Sequence, residues 1–416
     1  MLSLKEKLKE QVLSAKSAAA GRIAEKILGY AAMEDVDEII IEAGAKKAEV
    51  RFYDTGEVKG CLAMSEKIKN EVIDIFKELG GLKNGCRTGS FKKQTLGKKI
   101  IFSLTVYNSG VEEKIIVKVA NSRFDLIEIG RLGLEKKSLA RVKLMLEKKS
   151  GLILSIGQFN SGKTSTLYSF INYINCSDLN ITTLEKQISY DIPNINQSEL
   201  SLKEGFGYPF PLSSLLRQDP DVVMIDEIVD KDATEAALHL ADRGYFVLAG
   251  LYGDDFASVF KFLSGLGVSL PLFCATAKMI IIQRLARRNC PYCLKSSKLT
   301  KEQAERIKET INIGEVLKKM RQEKINSAGI SRLEEMNVFK GQGCEKCRRT
   351  GLAGDIGIFE VLEITASVKK SLREGHFSTA AAEIKNQDSF TLAEAAFAKL
   401  SLGVIGVEEF LRIVSI

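Results

Sequence analysis

Tryptophan is absent from this 416-residue chain, and histidine and proline are nearly so, at two and six residues. His239 and His376 both read as helix-face residues, which leaves any acid–base or metal chemistry to other side chains. No run of about 18 uninterrupted apolar residues occurs, so no membrane-spanning helix is expected. The opening stretch, MLSLKEKLKEQ, is charged and lacks the apolar centre of a secretory leader, which points to the cytoplasm. No stripe of interleaved aromatic and basic residues is present, and nucleic acid is not an expected partner. A disulfide framework is not expected in a large cytosolic chain. Of the eight cysteines, Cys61, Cys86, Cys176 and Cys274 are scattered and read as small buried hydrophobes, while the other four form two Cys-x-x-Cys pairs.

What is present is the profile of a soluble globular protein, 45% hydrophobic and 27% charged, with length for two or three domains. The net charge of +7 is mild for this size and reads as a solvated surface. One stretch organises the rest. Gly151 to Thr166, GLILSIGQFNSGKTST, joins an apolar run to Gly157, four residues, then Gly162-Lys163-Thr164 and a helix start. A strand, a glycine-bounded loop and a helix in that order form a phosphate cradle. Gly157, Asn160, Ser161, Gly162, Lys163, Thr164 and Ser165 are its expected nucleotide contacts, with backbone N–H groups and the helix dipole facing the phosphates. Lys163 can neutralise the β- and γ-phosphates, and the Thr164 hydroxyl can ligate magnesium.

Two further segments supply acids. Asn180 to Glu185 reads as a strand ending in a carboxylate, and Val222 to Ile225 as an apolar strand followed by Asp226 and Glu227. Asp226 is placed to hold a magnesium-bound water and Glu227 to polarise the attacking water. In an open parallel sheet these strand ends face one crevice. The pairs Cys290/Cys293 and Cys344/Cys347 have the spacing of a four-thiolate zinc site with no open position, hence a structural one.

Around these motifs the chain reads as an α/β protein: a helical segment (1–36), a smaller α/β domain (37–135), a connecting helix (136–150) and a phosphate-loop, RecA-like core (151–288). A zinc-binding subdomain with a helical arm (289–350) and a C-terminal helical region (351–416) follow, the latter opening on a short strand, Ile356 to Leu362. Leu4, Leu8, Val12, Ile23 and Ile27 recur at helical spacing in the first segment. In the next, residues 38–42, 48–53, 99–103 and 114–119 read as strands, 66–79 as a helix, and 54–56 and 108–110 as hairpin turns. Within the core, Tyr245 to Ala249 is expected to complete the sheet.

The segments GLILSIGQFNSGKTSTLYSFINYIN, LLRQDPDVVMIDEI, QRLARRNCPYC and GCEKCRRTGLAGDIGIFEVLEI follow one another as in the type II secretion and type IV pilus assembly ATPases, a family the chain resembles from about Ala19 onward. The closing segment from Phe390 to Arg412 also fits, and the cysteine pairs resemble those of the assembly and secretion branch rather than the retraction ATPases. The resemblance does not extend to the large extra N-terminal domain of many members, and a short form is expected. The resemblance implies ATP as substrate with magnesium and structural zinc, and a homo-oligomeric ring, usually a hexamer. It further implies hydrolysis that drives an inner-membrane platform protein, and a place at the inner face of the membrane through that partner. It implies that Glu185 is the general base, Glu227 the glutamate of the second acidic motif, and the four cysteines zinc ligands.

The chain departs from the family at several of these places. The pattern Glu-Asp-Pro-Val-Glu becomes Glu185-Lys186-Gln187-Ile188-Ser189, losing two acids and gaining a lysine. Gly-Glu-Ile-Arg-Asp becomes Asp226-Glu227-Ile228-Val229-Asp230, losing the arginine, and two family histidines become Tyr245 and Tyr252. In the N-terminal domain, Arg87, Lys92 and Lys93 stand where arginines are expected to reach a neighbour's phosphate, and lysine lacks the flat bidentate fork. Two readings follow: a motor ATPase, or a hydrolysis-impaired nucleotide-binding ring subunit with a structural or regulatory role.

Overall fold

Apolar alternation from residue 38 onward builds a sheet, and the continuous apolar runs beyond residue 150 build a second one buried on both faces. The computed structural model describes residues 20–34, 36–43, 48–54, 57–82, 87–95, 98–108, 113–120, 127–186, 188, 192–199, 217–325, 333 and 336–415. The described residues up to 120, with Ile188, form one compact unit and the others a second.

In the first unit, helix α1 (Ala20–Met33) is followed by strands β1 (Glu38–Ala43), β2 (Ala48–Asp54) and β3 (Glu57–Met64), then helix α2 (Glu66–Leu79). Strands β4 (Thr88–Thr95), β5 (Lys98–Asn108) and β6 (Glu113–Ala120) complete an antiparallel sheet of order β3-β2-β1-β6-β5-β4. Ile23, Ile27 and Ala31 of α1, and Val72 and Phe76 of α2, bury against Ile39, Ile41, Val50, Phe102 and Val117. Ser65 caps α2 by accepting from the Ile68 amide, as a serine before an apolar-periodic run should. Leu4, Leu8, Val12 and Cys86 lie outside the described residues.

The second unit opens with helix α3 (Lys136–Lys148) and strand β7 (Gly151–Ile156), then α4 (Lys163–Ile174), β8 (Ile181–Glu185), β9 (Ile195–Glu199), β10 (Val222–Ile228), α5 (Lys231–Asp242) and β11 (Phe246–Leu251). Next come α6 (Phe256–Gly265), α7 (Leu270–Thr276), β12 (Ala277–Asn289), β13 (Leu294–Lys298), α8 (Lys301–Thr310), α9 (Ile313–Gln322), β14 (Asn337–Gly341) and β15 (Leu352–Glu363). Helices α10 (Ala366–Arg373), α11 (Phe377–Lys385), α12 (Leu392–Ser401) and α13 (Val407–Val414) end the unit. The sheet order is β15-β12-β7-β11-β10-β8-β9, parallel throughout except for the antiparallel β12–β15 pair.

The order differs from the expectation in two places. Strand β11 does not complete the sheet: β12 and β15 extend it beyond β7, and β9 beyond β8. The short strand expected at Ile356 to Leu362 lies within β15, which pairs with β12 as part of this sheet. The scattered cysteines also differ. Cys274 is buried, but Cys61 and Cys176 are exposed. Cys61 sits on the outward side of edge strand β3, and Cys176 in the polar turn after α4, so neither position offers an apolar pocket. Among the described residues no helix is long and apolar enough to cross a membrane.

The β12–β15 pairing explains why cysteines fifty residues apart meet. It runs antiparallel to Asn289 opposite Leu352, and β13–β14 resumes antiparallel pairing at Leu294 opposite Gly341. Both cysteine pairs lie in the two links between these ladders, side by side.

Candidate nucleotide site

Strand β7 is buried along its whole length, which fixes the start of the loop against β11 and β12. The loop crest, Phe159 and Asn160, is exposed, and Asn160 (φ 58°) and Gly162 (φ 86°) take left-handed backbone angles. A side chain at Gly157 would place its Cβ 2.3 Å from Ser161 Oγ, so only glycine lets the loop close on itself here. The Ser161 hydroxyl is buried and has no hydrogen-bond partner among the described residues. A tight cradle with an unsatisfied donor in its wall suits an anion.

Lys163 opens α4 and turns its ammonium back into the loop. The Nζ donates to the carbonyls of Gly157 and Gln158, both at 2.9 Å, and stands 3.8 Å from Glu227 Oε1. Burial holds its pKa below the usual lysine value, against the opposing pull of Glu227 and Asp226. Thr164 Oγ1 donates to Asp226 Oδ1 at 2.6 Å. Burial raises the Asp226 pKa, an effect its bond from Thr164 opposes and the Glu227 charge reinforces. The Thr164 hydroxyl and Asp226 carboxylate are hard oxygen donors side by side, the chemistry that fits magnesium.

Glu185 ends β8 and is fully buried. Its Oε2 accepts from the Tyr168 hydroxyl, and its Oε1 from Thr183 Oγ1 at 2.5 Å and Gln197 Nε2 at 3.1 Å. Burial raises its pKa to about 7, even though all three donors favour the charged form. Its carboxyl also feels the Asp226 charge. Glu227 accepts from Lys186 Nζ at 2.6 Å. Lys163, Thr164, Glu185, Asp226 and Glu227 are thus brought together at one end of the sheet.

Four contributors were not read from the sequence. Gln283 on β12 accepts from Ser155 Oγ at 2.7 Å and donates to the Ser161 carbonyl at 2.8 Å, tying β7 to the loop it launches. Its only signal was its place at the head of the segment QRLARRNCPYC. Tyr168 and Gln197 hold Glu185, and Gln158 donates to Asp254 Oδ1 at 2.7 Å. Tyr252, at a family histidine position, faces Phe159 of the loop crest at a 5.2 Å ring separation, and both are exposed.

The four cysteines converge elsewhere in the unit. Their sulfurs all lie within 4.8 Å of one another, with Cys290–Cys344 at 3.9 Å, Cys293–Cys347 at 3.8 Å and Cys344–Cys347 at 3.7 Å. A tetrahedron with metal–sulfur bonds of about 2.3 Å has edges of about 3.8 Å. These separations fit a four-thiolate metal site and are far too long for disulfides. Amide donors from Cys344 and Gly351 lower the Cys347 thiol pKa to about 6, whereas burial raises that of Cys293 to about 11.

Residues 14–412 match the sequence profile of a family described as Type II/IV secretion system protein. The chain is 27% identical over 417 residues to the type IV pilus assembly ATPase PilB of Thermus thermophilus, covering 98% of this chain and 44% of that protein. It is 28% identical to the type IV pilus assembly ATPase TfpB of Acinetobacter baylyi, covering 94% and 65%, and 25% identical to the type II secretion system ATPase E of Vibrio cholerae, covering 93% and 74%. The chain therefore spans less than two thirds of the first two relatives. Its fold is similar to that of the ADP-bound pilus retraction motor PilT, with a TM-score of 0.61, 20% identity, and 94% and 96% of the two chains covered. It is similar also to the ATPase DotB of Legionella pneumophila, with a TM-score of 0.60, 15% identity, and 94% and 95% covered.

Replacing Gln283 with alanine strips partners from the Ser155 hydroxyl and the Ser161 carbonyl. We expect Gln283→Ala to lower the unfolding free energy by about 1–3 kcal/mol in urea titrations and to weaken triphosphate binding. Unchanged stability and affinity would show that this bridge does not support the loop.

Proposed function

Because the chain belongs to the Type II/IV secretion system protein family, we propose that it is an ATP-hydrolysing motor of a type IV pilus assembly or type II secretion machine. The observation that carries this reading is a buried lysine and a threonine–aspartate pair at the loop, with a carboxylate of near-neutral pKa at the end of the neighbouring parallel strand. Loop amides and Lys163 grip the phosphates. Thr164 and Asp226 would hold magnesium, which would supply charge neutralisation at the phosphates. A water attacks the γ-phosphorus in line and passes its proton to the Glu185 carboxylate. The bond from phosphorus to the β,γ-bridging oxygen breaks, and ADP keeps that electron pair. Tyr168, Thr183 and Gln197 keep the Glu185 carboxyl oriented, and Glu227 supplies a second acceptor beside Lys163.

The wider assembly belongs to the same reading. Copies of the chain form a ring, a hexamer, that works on an inner-membrane platform protein from the cytoplasmic side, with no nucleic acid involved. The four cysteines hold a structural zinc ion, which pins the links between the β12–β15 and β13–β14 ladders. Two observations favour a second reading, a hydrolysis-impaired ring subunit: both Glu185 oxygens already accept hydrogen bonds from neighbouring side chains, and the family arginine is replaced by Val229.

Phosphate release by the purified chain separates the two. The base is competent only when ionised, so activity is expected to rise with pH through about 7 and level off above it. Below that midpoint it should fall roughly tenfold per pH unit. Glu185→Gln should abolish both the activity and its pH dependence. Wild type and Glu185→Gln equally inert, while ATP still binds, would leave only the second reading. Metal analysis of protein purified without chelators should give about one zinc per chain, released by thiol modification with local unfolding. Metal-free protein would remove the zinc assignment.

A further inference from the structure

The mechanism above leaves one charged group at the cradle unused. Lys186 follows the buried Glu185 directly, and its Nζ lies 2.6 Å from Glu227 Oε2. The other oxygen of the same carboxylate is 3.8 Å from the loop lysine, Lys163. One carboxylate therefore sits between two ammonium groups. Lys163 approaches from the buried side, with 9% of its side chain exposed, and Lys186 from the solvent side, with 45% exposed. The groups act on one another electrostatically. The Lys186 charge pushes the Lys163 pKa down and that of Asp226 down as well.

We propose that Lys186 is the terminal-phosphate sensor of this chain. When a triphosphate occupies the cradle, the Lys186 ammonium exchanges the Glu227 carboxylate for an oxygen of the γ-phosphate. The inference rests on the nucleotide reading above. Lys186 is separated by a single carboxylate from the lysine that faces the β- and γ-phosphates, and its stem is free enough to swing. A terminal phosphate carries more charge than Glu227 and competes directly for the same ammonium. A diphosphate has no phosphate at the γ position, and Lys186 then stays on Glu227. The exchange also has a consequence for chemistry. Released from Lys186, Glu227 becomes an acceptor able to orient the attacking water only when a bond remains to be cleaved. The sequence places this lysine where the secretion ATPase pattern has an acid, at a site that also lacks that pattern's arginine. A cation supplied from within the same chain offsets part of that loss.

An ordinary surface ion pair would behave differently, contributing little and affecting both nucleotides alike. The test is calorimetric titration of the full chain, in magnesium, with ADP and with the β,γ-imido analogue of ATP, so that no turnover is needed. Wild type is expected to bind the triphosphate analogue more tightly than ADP. Lys186→Ala should weaken the analogue roughly tenfold, the worth of one hydrogen bond to a charged group, and leave ADP unchanged. Lys186→Arg should keep most of the preference, and Glu227→Gln, which removes the competing carboxylate, should strengthen it. Equal effects of Lys186→Ala on both nucleotides, or none on either, would overturn the sensor assignment while leaving the nucleotide site in place. Wild type that binds neither nucleotide would overturn the site itself and the sensor with it.

Discussion

The site depends on a positive charge kept almost out of water. The Lys163 ammonium would be costly to bury unpaired, and the loop answers by turning two backbone carbonyls onto it while Glu227 stands nearby. That requirement shapes the rest. The loop must fold tightly enough for Gly157 and Gln158 to reach the first residue of α4, which demands glycine at the close approach and left-handed geometry at the crest. The strands on either side must then be held immobile, which is the role of β7, buried along its length, and of Gln283 across from it. On the proposed reading a bound phosphate would take over part of the compensation that the carbonyls and Glu227 give.

The acids show how one crevice assigns different characters to similar groups. Glu185 and Asp226 are both buried and both shifted upward, but Glu185 is wrapped by three side-chain donors while Asp226 is paired to the threonine beside the phosphate lysine. Glu227 stands between two lysines, accepting from Lys186 on one oxygen with Lys163 near the other. On the proposed reading, placement at the ends of two parallel strands makes Glu185 the proton acceptor and Asp226 the metal-side carboxylate, with Glu227 between the two lysines. The cysteine cluster follows the same logic of position, since two antiparallel ladders set the gap in which four sulfurs meet at tetrahedral spacing.

Much of this was legible in the sequence, and what was legible is local. A glycine-bounded loop between an apolar strand and a helix, an apolar run ending in two acids, and a Cys-x-x-Cys turn each carry their geometry within a few residues. Partners distant in sequence were not legible. Gln283 meets Ser155 across 128 residues, and Lys186 meets Glu227 across 41, with no periodicity to announce either pair. Strands β3, β4 and β9 were missed because edge strands pair on one side only and can carry polar residues, as TGSFKKQT and INQSE do. The exposure of Cys61 and Cys176 was misjudged because residue type predicts burial only on average, whereas an edge strand and a helix-end turn decide it individually.

The measurement that bears most directly on this account is the affinity of the full chain for magnesium and a non-hydrolysable ATP analogue before and after Lys163→Ala, with melting curves to show that both proteins are folded. The account predicts that the wild-type chain binds and that the folded variant loses roughly 10- to 100-fold in affinity, the scale of hydrogen bonds to a charged group. Equal affinity in the two would mean that phosphate is gripped elsewhere, and the cradle would not be the centre of this protein's chemistry.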